Sequence, residues 1–487
     1  MRRIALSLIC VAAAGVVATA ATARTGSLIV ATTGPTAPLA TGLGDPIFLG
    51  PQETTAYAMA HNAGATYGRI VAHWSSIAPT TLPASGFNPA DPASAYYRWG
   101  ALDASISAAN AAGITPILDI NSPPGWGYSV KPGTWTGGSP KLSALGAFAT
   151  AIAKHYDGSS PAAHVFSVWN EPNFRKNLYP QDPAYYRAMV NAVADSVHAV
   201  DPADLVAAGE LAPFKHAATA KDRNNAIPPL NFMRRMLCLS TTTPVRRTCD
   251  KSARVDIWAH HPYSNTGPFG QAQDSGGVEL GDLPKMKKLL QTAQHLGAIV
   301  SARPVQFWVT EVGWSSNPPN KHGAPIGLET RWVAESMYQM WRSGVTVGMW
   351  FLLRDEPSNT PFQSGLYFRS SSLAAAVAKP LLAPFRFPFV AYLGTNGNVQ
   401  IWGRDTTRDM RDVTIQRWIG AVAQWKPVAV VTSNTNGIFQ ATLPLGSDSE
   451  QRGYKLRASA TGSGSSAGFS VDVPPNENLI VVPFPPN

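Results

Sequence analysis

The sequence predicts an α/β chain: a (β/α)8 barrel, the TIM-barrel architecture, followed by an antiparallel β-sandwich. Three observations predict it. A phrase of helical stretch, closing Gly and short β-rich run recurs between about residues 60 and 352. The segments after those β runs are long, whereas those before them are short. Past Phe385 the texture changes to alternating or β-branched runs split by Gly-containing turns. Short connections at one end and long loops at the other mark a barrel that works at its strand C-termini.

At the N-terminus, Met1-Arg2-Arg3 precedes an apolar stretch from Ile4 to about Ala20 and then Ala21-Thr22-Ala23. A basic start, an apolar stretch and an Ala-x-Ala site read as a secretory leader over 1–23. The stretch is short and broken by Gly15 and Thr19, so it is read as cleaved rather than as an anchor. The mature chain is expected to be secreted and extracellular. Cys10 leaves with the leader. That leaves Cys238 and Cys249, an even number in an oxidising compartment, so a disulfide is expected, contributing about 3 kcal/mol.

Barrel strands are expected at Gly42–Ile47, Tyr67–His73, Thr115–Ile120, Val165–Asn170, Leu205–Gly209, Arg254–His260, Val305–Thr310 and Val345–Leu352. Gly64, Gly113, Gly297 and Gly344 close helical stretches immediately before four of the β runs, where a Gly at C′ lets the chain turn at once. Helices are expected at Ala101–Ala112, Ala184–Val200 and Leu328–Arg342 from apolar spacing near 3.6, and the eighth at Ser372–Leu382. The first βα turn lacks the glycine fingerprint of a dinucleotide fold. The domains are therefore set at 24–384 for the barrel and 385–487 for the sandwich. In the latter, Val399–Trp402, Asp412–Gln416 and Pro427–Val431 are strands, with turns at Asn396-Gly397, Asn436-Gly437 and Gly453. The sandwich is read as support for the barrel, with carbohydrate binding as the sharper alternative.

Composition narrows the function classes. The chain has 487 residues, 45% hydrophobic and 14% charged, so it folds rather than staying disordered. The net charge of +9 falls to +7 when Arg2 and Arg3 are removed, and the remaining basic residues are scattered. Nucleic acid is not an expected partner, nor is a membrane for the mature form, and a monomer is expected. The histidines are scattered and no His-Glu-x-x-His or Ca²⁺ loop occurs, so neither metal nor cofactor is expected.

Two carboxylates stand where a barrel puts reactive groups. Val165-Phe166-Ser167-Val168-Trp169-Asn170-Glu171-Pro172-Asn173 is an apolar run ending in Asn-Glu-Pro, and Phe307-Trp308-Val309-Thr310-Glu311-Val312-Gly313-Trp314 is a second run ending in Glu. As strands four and seven, they aim both side chains at one mouth. Such a pair suits glycoside hydrolysis, in which one carboxyl protonates the leaving oxygen and the other supplies negative charge beneath an oxocarbenium-like carbon. A spacing of ~5–5.5 Å means retention of configuration and ~6.5–9.5 Å means inversion. Trp126, Trp135 and Trp314 fall on long βα loops, where indole faces suit a sugar cleft or pin their own loops.

The Trp-Asn-Glu-Pro-Asn and Thr-Glu-Val-Gly-Trp runs, with their glutamates about 140 residues apart, resemble the acid/base and nucleophile signatures of clan A glycoside hydrolases, most like family 39 and the cellulase-like family 5. The resemblance spans roughly residues 40 to 380 and implies a retaining enzyme with Glu171 as acid/base and Glu311 as nucleophile. It further implies that Arg69 pairs with the nucleophile, Tyr263 donates to it and His261 shapes the sugar subsite. Asn170 would bond the sugar 2-hydroxyl, and Trp350 matches a stacking platform. The expected activity is therefore cleavage of β-glycosidic bonds in a polysaccharide or oligosaccharide by double displacement, with internal cleavage favoured. The alternative is a non-catalytic carbohydrate-binding protein on a degenerate barrel. Glucan, xylan, galactan, mannan and exopolysaccharide all fit the same two glutamates.

Overall fold

The computed structural model describes residues 28–471, apart from 35, 135, 159, 214–224, 359, 361, 395–396 and 447–453. The expected leader and Trp135 lie outside the described residues. Eight parallel strands close into a barrel: Ala40–Gly44, Tyr67–His73, Thr115–Asn121, Val165–Val168, Leu205–Leu211, Ile257–His260, Gln306–Val309 and Val347–Trp350. The eighth pairs back onto the first, with Val347 opposite Ala40 and Trp350 opposite Leu43. Each overlaps its expected run. The closing glycines Gly64, Gly113, Gly297 and Gly344 have φ of 88°, 69°, 68° and 79°, the left-handed conformation that a Cβ would strain.

The helices form where caps and apolar spacing agree. Asp182 accepts a hydrogen bond from the Ala184 N–H and Pro183 occupies the first turn, so helix Pro183–Val200 starts sharply. Tyr186, Met189, Val190, Val193, Ala194 and Val197 give it one buried stripe. Gly100–Ala111 and Ile326–Arg342 likewise lie where expected. The eighth helix is a correction. In place of Ser372–Leu382 there is a 3-10 turn at Leu373–Ala375 and a short helix at Leu382–Arg386. Pro380 biases Lys379 away from helical backbone. The Lys379 N–H bonds the Leu366 carbonyl, and its ammonium is buried against Asp355 at 2.6 Å.

Strand periodicity then stacks the barrel interior in layers. Ile117, Val165, Ala207, Ile257, Trp308, Val347 and Met349 form an apolar core cluster with Ala40, Tyr67 and Leu205 against it. Residues two further along a strand share its face. Tyr67 is therefore followed by Arg69, Ile117 by Asp119, Val165 by Ser167 and Trp308 by Thr310. An apolar floor supports a polar layer beneath the mouth.

The chain divides into two compact units, residues 37–388 and, among the described residues, 28–36 with 389–471. The expected boundary at 24 is thereby corrected. Ile29–Thr32 runs parallel to Gln424–Thr432, with Ile29 opposite Ala429 and Thr32 opposite Thr432, so it belongs to that sheet and not to the barrel. The second unit has one antiparallel sheet of Phe389–Leu393, Asn398–Arg404 and Ile438–Pro444. Its other sheet holds Ile29–Thr32, Gln424–Thr432, Asp412–Ile419 and Lys455–Ala460 with two short strands, and its sole parallel pairing among the described residues is the N-terminal one. Val399, Ile401, Phe439, Val413, Ile415 and Val431 are buried in this unit.

Candidate active site

Arg69, in the second strand, gathers the polar layer. Its Nη1 donates to Glu311 Oε1 at 2.7 Å, and its Nη2 donates to Asn170 Oδ1 at 2.9 Å and Asp119 Oδ2 at 3.1 Å. Glu210 Oε2 lies 3.6 Å from the same Nη2. Tyr263 donates to the other oxygen of Glu311 at 2.8 Å. His261 Nδ1 is 3.2 Å from Glu171 Oε1 and 3.7 Å from Glu311 Oε2, while its Nε2 is 2.8 Å from Glu210 Oε2. Residues from six strand ends thus meet in one hydrogen-bonded cluster.

Exposure separates the four carboxylates. The side chains of Glu171 and Glu311 retain 14% and 12% of their accessible surface, whereas those of Glu210 and Asp119 retain none. Only the first two can touch a bound molecule. Because His261 Nδ1 is a shared neighbour, their facing oxygens can be no farther apart than those two distances combined.

Burial and charge set the protonation of the inner groups. Burial disfavours charge on Glu210, but Arg69 and His261 overcome it and hold the carboxyl down at about 2. Burial raises Asp119 to about 7 despite Arg69, with Glu210 and Glu311 adding to the rise. Burial opposes a charged His261, yet Glu311 together with the bonds to Glu171 and Glu210 lifts it to about 10. Tyr263 is raised well above its ordinary value by burial and by Glu311, so it stays a donor.

Backbone strain collects at the same place. Among the described residues, seven non-glycines have positive φ, and four sit just past or within barrel strand ends: Ser122 (55°), Trp169 (69°), Glu171 (43°) and Glu210 (49°). Conformations of this kind persist where surrounding structure over-determines them, typically at functional sites. Strand five carries a bulge, with Ala259 opposite Gly209 but His260 opposite Leu211. The extra residue is Glu210, and the bulge turns it inward. Its oxygens accept from Ser167 and Thr310 at 2.6 Å each.

Two expected platforms need correction. Trp350 and Trp314 have no accessible surface, and their indole N–H groups donate to Ser364 O and Ser264 O, both at 2.7 Å. A ring without exposed area offers no face to a sugar. The aromatic side chain at the end of strand eight that keeps some exposure is Phe351, which packs beside Gly44. Trp126 is half-buried, donates to Pro79 O at 2.8 Å and sets its ring edge-on to Trp74 and Phe87, so it pins its loop. Cys238 and Cys249 are bonded, with Cα atoms 5.5 Å apart. Among the described residues the group with metal-ligand spacing is His164, Asp201 and Asp204, at the strand N-termini and so at the opposite end of the barrel.

No protein-family model and no curated protein matches the sequence. Among solved structures, a family 39 glycoside hydrolase from the gut symbiont Bacteroides cellulosilyticus WH2 superimposes with a TM-score of 0.52 at 18% identity, over 84% of this chain and 79% of that one. The fold is that of a family 39 glycoside hydrolase. A monomeric β-xylosidase from Caulobacter crescentus CB15 gives a TM-score of 0.49 at 15% identity over 86% of this chain and 100% of that one. A family 39 enzyme from Xanthomonas axonopodis pv. citri gives 0.48 at 15% identity over 86% and 96%.

Sequence reasoning missed Asp119, Glu210 and Phe351. Asp119 carried a signal, a carboxylate inside the otherwise apolar run Pro116-Ile117-Leu118-Asp119-Ile120. Glu210 follows Gly209 at an apolar strand end, as Glu171 and Glu311 follow theirs, but the bulge that turns it inward has no local signature.

Proposed function

We propose that the chain is a retaining glycoside hydrolase that cleaves β-glycosidic bonds in a polysaccharide or oligosaccharide, with Glu171 as acid/base and Glu311 as nucleophile. The observation that carries this reading is the pair of solvent-reaching carboxylates at one barrel mouth, sharing His261 as neighbour. In the first step Glu311 attacks the anomeric carbon while Glu171 protonates the departing oxygen; in the second, Glu171 takes a proton from water, which releases the glycosyl group from Glu311. Arg69 and Tyr263 each donate to one oxygen of Glu311, which fixes its aim at the anomeric carbon. Asn170, its oxygen held by Arg69, presents its amide NH₂ to the sugar 2-hydroxyl. The long βα loops support a cleft and internal cleavage, and the leader-like sequence at residues 1–23 supports secretion.

The test is hydrolysis of a polysaccharide panel and of activated aryl β-glycosides by the wild type, Glu171→Ala and Glu311→Ala, with and without azide. Loss of either carboxylate is expected to lower turnover by about 10²–10⁴-fold or more. Azide restores turnover, giving a β-glycosyl azide with Glu171→Ala and an α-glycosyl azide with Glu311→Ala. Unimpaired hydrolysis by either variant refutes the assignment, and binding without any release of reducing sugar indicates a sugar-binding protein instead.

A further inference from the structure

On the same face as the carboxylate cluster the barrel carries a concavity between two of its loops. It is an open pocket of about 400 Å³ between the loop leaving strand one and the loop leaving strand eight, lined in part by Gln52, Arg354 and Arg369. Strands one and eight are neighbours in the barrel, and Arg354 lies three residues beyond Phe351 at the mouth. The volume suits a small sugar unit.

The polar lining of this pocket is unusual. Arg354 is only 7% exposed, yet its Nε has no hydrogen-bond partner, and its Nη1 makes only a long bond of 3.4 Å to the Ser370 carbonyl. Arg369 is exposed on the same pocket, and both its charge and that of the Asp45 carboxylate are felt at Arg354. A buried guanidinium with an unfilled donor and a second guanidinium beside it is matched by an anion, because the paired oxygens of a carboxylate or a sulfate accept from its fork. Asp45, Asp355 and Glu356 also line the pocket. Asp45 directs its oxygens to the N–H groups of Ile47, Leu353 and Arg354. Asp355 Oδ1 accepts from Lys379 Nζ and the Gly365 N–H. Both carboxylates therefore hold the two loops, Asp45 balancing part of the Arg354 charge, while Arg369 and Glu356 complete the charged lining.

We infer that this pocket is a subsite for an anionic sugar unit, carrying a carboxylate or a sulfate, in the glycan cut between Glu171 and Glu311. The inference rests on the glycosidase reading and deepens it by assigning the substrate to acidic glycans.

The test is calorimetric titration of the full chain with glucuronate, glucose 6-sulfate and glucose, none of which presents a bond to cleave. At least one anionic sugar is expected to bind about tenfold more tightly than glucose, and glucuronate against glucose 6-sulfate tells which group the pocket takes. Arg354→Gln and Arg369→Gln are each expected to erase that preference. Arg369 is on the surface, so its variant keeps the test meaningful if the buried substitution prevents folding. Equal binding of all three sugars, or a preference that survives in Arg369→Gln, overturns the inference. Release of nitrophenol from neutral aryl β-glycosides by the wild type, and its loss in Glu311→Gln, reports on the glycosidase reading separately.

Discussion

Arg69 and Tyr263 divide the work on Glu311, one oxygen each. A hydrogen bond to a charged group is worth about 1.5–3 kcal/mol, so Tyr263→Phe is expected to lower kcat by roughly ten- to a hundredfold with little change in KM. Steady-state kinetics on an aryl β-glycoside checks this; an unchanged kcat would take Tyr263 out of the mechanism. Glu210 acts one layer deeper. It is fully buried, accepts from Ser167, Thr310 and His261, and lies beside Arg69. Glu210→Gln leaves those cations under-compensated and is expected to destabilise the fold by about 3–5 kcal/mol, read from urea denaturation.

At the scale of elements, the bulge in strand five decides whether Glu210 joins the cluster. Gly209 precedes it with φ of 103°, and a Cβ there would stand 2.3 Å from the Ala259 carbonyl oxygen in strand six. Gly209→Ala is therefore expected to cost about 2–4 kcal/mol and to lower activity as well, because strands five and six must separate where Glu210 and His261 meet. Denaturation and kinetics on one sample test both halves, and wild-type behaviour in each would show that the bulge tolerates a side chain. The neighbouring histidines show how finely a strand end sorts side chains. His260 bonds the Val278 carbonyl at 2.8 Å, whereas His261 turns to Glu171 and Glu210.

For the whole molecule, the buried cluster ties stability to pH. His261 has its proton affinity raised in the folded state to about 10, so its contribution is complete below 6.5 and disappears as pH rises through about 10. Glu210 works in the opposite direction, its contribution present above 4.5 and lost as pH falls to about 2. Asp119, raised to about 7, makes the native state less favourable as pH climbs from 3.8 to 7. Tm is accordingly expected to decline between pH 7 and 10, and His261→Gln is expected to flatten that decline. A wild-type Tm constant over this interval would contradict the coupling.

Much of this was readable from the chain alone because it depends on short-range rules. Closing glycines, apolar spacing and the one-sided lengthening of loops located eight strands within a few residues, and the endings Asn170-Glu171-Pro172 and Thr310-Glu311-Val312 marked the two exposed carboxylates. What the chain could not declare depends on contacts between distant segments. The inward turn of Glu210 requires strand six to pair around a bulge, and Trp314 and Trp350 are hidden by loops that fold over them. The strand at Ile29–Thr32 belongs to a sheet formed some 400 residues later in the chain. Local periodicity decides which face a side chain takes; only the closed barrel decides what that face meets.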